Sequence, residues 1–552
     1  MKPKGILWLV SIAVLFSIGI LIPAGIGAKA NKIKAPWPDE IDNCTSIPVS
    51  KAASADGSVM TSHACDGGYE FRLHVVLGRT HQPGETRTVL KGGGNGAEQK
   101  QAVKGGEIPE VKETFSRFDI AYPFMNEKQV AMGETTFGGR QELYNPEGFF
   151  DIMELERVAL ERASTAREAI KIMGELATKY GYSDYGECLT VCDTKEAWVF
   201  EIMGPGPLQI GAVWAARRVP DGEVSVSANR SRIGEIDGND KENFMASENV
   251  FKLGEEMGWY NPKAGKPFKF NEAYAPDDSI GCRRREWRVL STLAPSLKLD
   301  PWALEYPWSV KPDKKVTPQM IMALHRDYYQ GTEFDLSKGL AAGPFANPIR
   351  FSTSVHPPEG YLGWERPISI FRCSYCFVSQ SRAWLPDWVG GLIWFAEDDP
   401  KTSCFVPLYC SITTVPESLQ IGRRDVFDRK SAWWAFDFVS NWANLRFSSM
   451  IEDIRRAYQD FETTFFNLQP AVEARAKTLY QDNPQACREY LTRYSNEMAQ
   501  RVVDDWWTMA DYLIVKYNDG YISTPGKMPS AGYPKEWLDA VGYGKTKIIN
   551  KK

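Results

Sequence analysis

From Cys44 to Ala228 the chain is cut into short apolar runs bounded by turn-forming residues. Runs this short suit strands better than helices. They predict strands over Cys44–Val49, Ser58–Ser62, Leu73–Leu77, Val130–Thr136, Leu189–Cys192, Ala197–Met203, Ala212–Arg217 and Val224–Ala228. Ala55-Asp56-Gly57, between the first two, carries the Asp-Gly pair that favours a hairpin turn. Polar and apolar residues alternate through Glu223–Ala228, which predicts a half-buried strand. One helix interrupts the series. Thr165 and Glu168 form a capping box, and Ala169, Ile170, Ile172, Met173, Leu176 and Ala177 follow at helical spacing.

The second half changes character. Thr317-Pro318 pairs an N-cap with proline at the first helical position. Strands are predicted again at Gly391–Phe395 and Cys404–Tyr409. From Ser449 and Glu452, a second capping pair, the chain is charged, aromatic and helical. There Val502, Val503, Trp506, Met509, Ala510 and Leu513 make an apolar stripe expected to be a core face. Strands in runs with flanking helices argue for an α+β fold with antiparallel sheets.

The N-terminus bounds the compartment. Lys2 and Lys4 precede an apolar run from Gly5 to Ala28, and Ala28-Lys29-Ala30 has the small-x-small pattern of a cleavage site. This predicts a signal peptide over 1–30 and export, secreted or periplasmic. The other reading is an uncleaved anchor, since about 20 apolar residues span a bilayer. Pro23, Gly25 and Gly27 favour the signal. Asn31–Asn43, with two prolines and mixed charges, reads as a short pro-segment. A net charge of −5 without a long basic run lacks the footprint of a nucleic-acid binder.

An exported chain can oxidise its cysteines. Of the ten, Cys65, Cys188, Cys192, Cys282, Cys373, Cys376, Cys404, Cys410 and Cys487 read as structural disulfides or buried thiols. The Cys373-Ser-Tyr-Cys376 pair has no second CxxC or HxxxH beside it, so no metal site is expected. Cys44 is left for chemistry. There is no HExxH, GxSxG, P-loop or dinucleotide fingerprint, and no cofactor is implied. Five histidines are present, and nothing local ties His63 or His74 to Cys44 as a dyad. Another base needs no histidine. Cleavage before Cys44 would free an α-amine whose pKa of about 7.7–8.0 suits it to take and return the thiol proton.

Further residues carry a resemblance. Cys44-Thr45-Ser46-Ile47-Pro48-Val49, Lys51, Asp56-Gly57-Ser58 and Asp66 resemble the opening of the dipeptidase A and secernin family. That family is related to penicillin V acylases and choloylglycine hydrolases. Ala131 to Thr136, Glu187 to Asp193, Lys195 to Trp198, Ser227 to Arg230, Asn261 to Pro267, Arg284 to Arg288, Trp394-Phe395 and Asp398-Asp399-Pro400 continue it in order. The likeness spans roughly 44–521, the expected catalytic domain, with a helical portion at about 445–521 and a tail over 522–552.

The resemblance implies a four-layer αββα N-terminal-nucleophile sandwich that cleaves itself before Cys44. It implies that Asp66 holds the α-amine, that Asn229 donates to the oxyanion, and that backbone amides near Glu134 and Thr135 assist. One of Arg283, Arg284 and Arg285 matches the site arginine, and spacing to Arg288 favours Arg285. Related acylases carry an arginine three residues before the aspartate; this chain has His63 there. Glu134, Thr135 and His63 are the expected substrate contacts, Glu134 through a substrate ammonium. The expected function is a cysteine dipeptidase acting on short peptides, with homo-oligomer formation open. The alternatives are an N-acyl amide hydrolase with the same machinery and a non-catalytic binding protein that keeps the fold.

Overall fold

A computed structural model of the protein describes residues 44–92, 103–207, 209–277, 279–351, 355, 357–358, 363–528 and 532–545. The predicted signal peptide and pro-segment lie outside them, as does His356. Nine strands build the two larger sheets. They are β1 (Ser62–Asp66), β2 (Ala131–Gly138), β3 (Gly186–Cys192), β4 (Ala197–Met203), β5 (Val213–Arg218), β6 (Phe244–Ala246), β7 (Cys373–Gln380), β8 (Leu392–Glu397) and β9 (Val406–Tyr409). In space the first sheet runs β1-β7-β8-β9 and the second β6-β5-β4-β3-β2. Every pairing within them is antiparallel. Two short pairs stand outside these sheets, His74–Val76 with Arg117–Asp119 and Thr86–Lys91 with Val103–Pro109.

The first predicted strand forms differently. Cys44–Val49 makes isolated bridges, Thr45 with Ala64 and Val49 with Met60 on one side, Ser46 with Ser227 and Val49 with Val224 on the other. On the second side Pro48 accepts from the Ser225 amide but has no hydrogen to return, and on the first the Ile47 amide donates to Ser62 Oγ at 3.2 Å, so neither ladder is continuous. The segment nevertheless lies between β1 and the stretch Val224–Ala228. In the predicted strand Ser58–Ser62, Val59 and Met60 pair through single bridges, with Ser381 and Val49, and the continuous ladder starts at Ser62 as β1. Val224–Ala228 is wholly buried, not half-buried. Its polar side chains are satisfied inside: Ser225 Oγ donates to Trp308 O at 2.6 Å, and Ser227 Oγ lies 2.5 Å from Thr135 Oγ1.

The helices that matter for the site are α1 (Ile152–Arg162), α2 (Ala166–Tyr180), α3 (Ile280–Leu293), α4 (Pro318–His325), α5 (Ala432–Ala443), α6 (Phe447–Asp482) and α7 (Pro484–Lys516). Thr165 caps α2 as predicted, accepting from the Glu168 amide. The return bond shifts by one residue, since the Glu168 carboxylate accepts from Ser164 N and Oγ. Thr317 caps α4 with Pro318 in the first turn. Ser449 lies inside α6, whose N-cap is Arg446, and caps nothing. Helix α2 packs on the second sheet so closely that a Cβ at Gly174 would sit 2.4 Å from the Trp214 ring of β5.

Helices α6 and α7 pack on the first sheet. Trp394 of β8 stacks on Phe466 with ring centroids 4.1 Å apart, and the Tyr409 amide donates to Ser495 Oγ at 3.3 Å. Val502, Val503, Trp506, Ala510 and Leu513 are buried along α7, as the stripe predicted, with Met509 packed beside them. Burying a valine or leucine side chain contributes about 1.5–3 kcal/mol, so this face holds the helix. The expected tail carries a short helix, Lys535–Ala540. No described helix is long and apolar enough to cross a membrane. The chain is therefore α+β, with antiparallel sheets and a helical C-terminal part.

Small polar side chains line the seam where β2 and β3 meet β1 and its flanking segments. Thr61 Oγ1 lies 2.6 Å from Thr190 Oγ1, and Ser46 Oγ donates to Glu134 O at 2.9 Å. Gly133 sits at the closest point: a Cβ there would be 2.5 Å from the Ser62 carbonyl oxygen, which is backbone and cannot step aside. Gly133→Ala is therefore expected to destabilise the protein by about 1–3 kcal/mol, the usual cost of overpacking, read as a lower urea midpoint. An unchanged midpoint would mean that the seam is not this tight.

His325, at the end of α4, also reaches the seam, 2.8 Å from Ser62 Oγ through Nε2. Burial, with the Arg326 charge adding to it, lowers the His325 pKa from 6.5 to about 3. Between those values the unfolded chain holds a proton that the folded chain refuses. This contribution to stability is complete above about pH 6.5 and is lost as pH falls toward 3. His325→Gln should flatten the fall in urea midpoint between pH 7 and pH 4. Equal slopes for parent and variant would show that His325 titrates normally.

Candidate active site

The bridge between Thr45 and Ala64 sets the register of the first segment. Counting along that antiparallel pair places Cys44 opposite Cys65 and Ser46 opposite His63. Strand β2 then brings Glu134 to the same place. Cys44 Sγ, a His63 ring nitrogen and a Glu134 carboxylate oxygen all lie within 4.8 Å of one another, and all three side chains are fully buried. Glu134 Oε1 accepts from Thr136 Oγ1 at 3.0 Å, and Oε2 is 3.6 Å from His63 Nε2. Tyr122, Tyr375 and Phe377 meet the His63 ring edge-on. Thr135, the other expected substrate contact on β2, points its hydroxyl at Ser227.

Burial dominates the electrostatics. It pushes the Cys44 thiol well above its ordinary value, with a hydrogen bond to Cys65 and the Glu134 charge adding to it. It drops His63 to about 3, with His325 contributing, so the imidazole is neutral. Burial, with the Glu134 charge adding to it, raises the Glu187 carboxyl on β3 well above the usual carboxylate range. A thiol in such surroundings stays protonated unless a cation or a base is placed beside it.

Helix α3 supplies Arg285 from below. Its Nη1 donates to Cys44 O at 2.7 Å, Thr45 Oγ1 at 3.0 Å and Asn229 Oδ1 at 2.9 Å. Its Nη2 donates to Ala228 O at 3.0 Å. Arg284 pairs instead with Glu365 at 3.3 Å, and Arg283 donates to Ala303 O at 2.5 Å. Asn229 adopts a left-handed φ of 63°, tolerable for asparagine, and its Nδ2 donates to Thr136 O at 2.7 Å. One guanidinium thus fixes the Cys44 carbonyl and the Asn229 amide together.

Asp66, at the end of β1, accepts from Arg366 Nη2 at 2.5 Å. Burial raises its carboxyl, against the pull of Arg366. Arg366 was invisible in the sequence, because nothing in Glu365-Arg366-Pro367 sets it apart. It also lines a cavity of about 170 Å³ with Arg350, Trp364, Arg372 and Lys401. Cys65 could have been found by counting across the Asp-Gly hairpin. All ten cysteines are free and buried, which decides for thiols over disulfides.

Comparison with known proteins accords with this geometry. A "Probable dipeptidase" of Salmonella dublin is 28% identical over 390 residues, covering 66% of this chain and 80% of that protein. A "Probable dipeptidase" of Latilactobacillus sakei is 26% identical over 415 residues, covering 73% and 81%. "Dipeptidase A" of Lactobacillus helveticus is 24% identical over 397 residues, covering 68% and 77%. The family model described as peptidase family C69 matches residues 43–460, a span that holds Cys44, His63, Asp66, Glu134, Asn229, Arg285 and Arg366. This chain is a peptide hydrolase and belongs to peptidase family C69.

Proposed function

We propose that the chain is an exported cysteine dipeptidase whose nucleophile is Cys44 at the mature N-terminus. The observation that carries this reading is the Arg285 guanidinium, which joins the Cys44 carbonyl to the Asn229 side chain. It fixes the main chain of the nucleophile against an amide able to donate to an oxyanion. The two antiparallel sheets, with α2 on one and α6 and α7 on the other, support an αββα N-terminal-nucleophile sandwich over 44–521.

Maturation comes first. The signal over 1–30 is removed on export, leaving 31–43 as a pro-segment. Cys44 Sγ attacks the Asn43 carbonyl carbon, the Asn43–Cys44 C–N bond breaks, and a thioester forms while the nitrogen gains a proton. Water cleaves the thioester, which releases the segment and restores the thiol. Now an α-amine stands beside a thiol that burial holds protonated. The amine takes that proton, and its positive charge stabilises the thiolate. Asp66, shared with Arg366, orients the amine.

Turnover repeats the same chemistry on substrate. The thiolate attacks the peptide carbonyl carbon, and the oxyanion accepts from Asn229 Nδ2 and backbone amides near Glu134 and Thr135. The C–N bond breaks, the α-ammonium protonates the leaving amine, and water hydrolyses the thioester. Glu134 receives the substrate's ammonium, and His63 lines its place; the Thr135 side chain, on the opposite face of β2, bonds Ser227 instead. That role favours short peptides with a free amino group. An N-acyl amide with an apolar acyl chain would have to leave Glu134 and Glu187 buried against hydrocarbon. This observation ranks the dipeptidase above the acylase.

Two measurements test the proposal. Intact mass should show a chain beginning at Cys44, and Cys44→Ala should accumulate as the longer form without hydrolysing any dipeptide of a panel. A fully active protein that still carries 31–43 would overturn it. Asn229→Ala should lower kcat by about 10²–10³ with a much smaller change in KM. Unchanged kcat would remove Asn229 from the oxyanion site.

A further inference from the structure

We propose that Cys44, His63 and Glu134 form an inhibitory binding site for a thiophilic divalent cation of the zinc class. Thiolate, imidazole and carboxylate are the donors that zinc selects, commonly three from protein with water in the fourth position. The three donor atoms lie within 4.8 Å of one another on three separate segments. Bond lengths of about 2.0–2.3 Å place the ligand atoms of a tetrahedral site roughly 3.5 Å apart, so side-chain shifts of about an ångström close it.

The second observation is His63 itself. The ring is fully buried, and neither Nδ1 nor Nε2 has a hydrogen-bond partner. Leaving both polar atoms unsatisfied costs energy, and ligation through one of them would recover part of it. His325, by contrast, has Ser62 Oγ as a partner. The Tyr122, Tyr375 and Phe377 rings hold the imidazole in place beside Glu134.

Binding exchanges the Cys44 S–H for a sulfur–metal bond, with the proton released to solvent and no change of oxidation state. The sulfur lone pair is then unavailable for attack, so occupancy and hydrolysis exclude one another. The inhibitory sense rests on Cys44 being the nucleophile, as proposed above; the binding does not.

Cobalt(II) titration of the purified full chain tests the site without reference to activity. One equivalent should produce a thiolate-to-cobalt charge-transfer band and the strong visible bands of four-coordinate cobalt, both removed by zinc. Cys44→Ser should abolish the charge-transfer band, and Cys65→Ser should keep it. Glu134→Gln, nearly isosteric, and His63→Ala should each weaken binding at least tenfold. Zinc should lower dipeptide hydrolysis in step with occupancy, and a chelator should restore it. A missing band, or one unmoved by both Glu134→Gln and His63→Ala, overturns the site. Activity that a chelator abolishes and zinc restores overturns its inhibitory sense. A normal cobalt spectrum in a protein that cleaves no peptide would support the site while the dipeptidase reading fails.

Discussion

The contact between Gly133 and the Ser62 carbonyl is the constraint from which the site follows. Two sheets usually pack about 10 Å apart, with side chains filling the gap. Here β2 comes close enough to β1 that no side chain fits at the crossing. Serine and threonine hydroxyls close the rest of the seam and satisfy one another. That approach delivers Glu134 to Cys44 and His63. A wider, apolar seam would leave the carboxylate out of reach of the thiol.

The second organising element is Arg285. A guanidinium has five donors in a rigid fork, and here they bind the first segment and the stretch ending at Asn229. Hydrogen bonds to a charged group contribute about 1.5–3 kcal/mol each, more than neutral ones. Burial then makes every nearby ionisation costly. The thiol and the Asp66 carboxyl go up, and the His63 imidazole goes down.

Local patterns in the sequence hold where a local bond decides the structure. Thr165 and Thr317 cap the helices they precede, and the stripe from Val502 to Leu513 faces the core. They fail where another partner decides. Pro48 accepts from the Ser225 amide but has no hydrogen to return, so it breaks the pairing with the distant Val224–Ala228 stretch. Glu168 bonds Ser164 instead of its cap, and Ser449 falls inside a helix that begins two residues earlier. The alternation in Glu223–Ala228 correctly signals a polar side, but Trp308 and Thr135 bury it.

What the sequence determined by itself was the class of fold and the family, because both are written in the order of local patterns. Strand-length runs, caps, an Asp-Gly turn and motifs from Cys44 to Asp399 all survive as a linear string. What only the tertiary structure decided was who meets whom at Cys44. His63 and Asp66 are three residues apart on β1, yet His63 faces Glu134 while Asp66 takes Arg366 from a distant segment. Arg285 separates from its neighbours Arg283 and Arg284 in the same way, because successive residues on a helix point in different directions. Partner choice in a buried site depends on register and on the closeness of the two sheets, and neither is encoded at any one position.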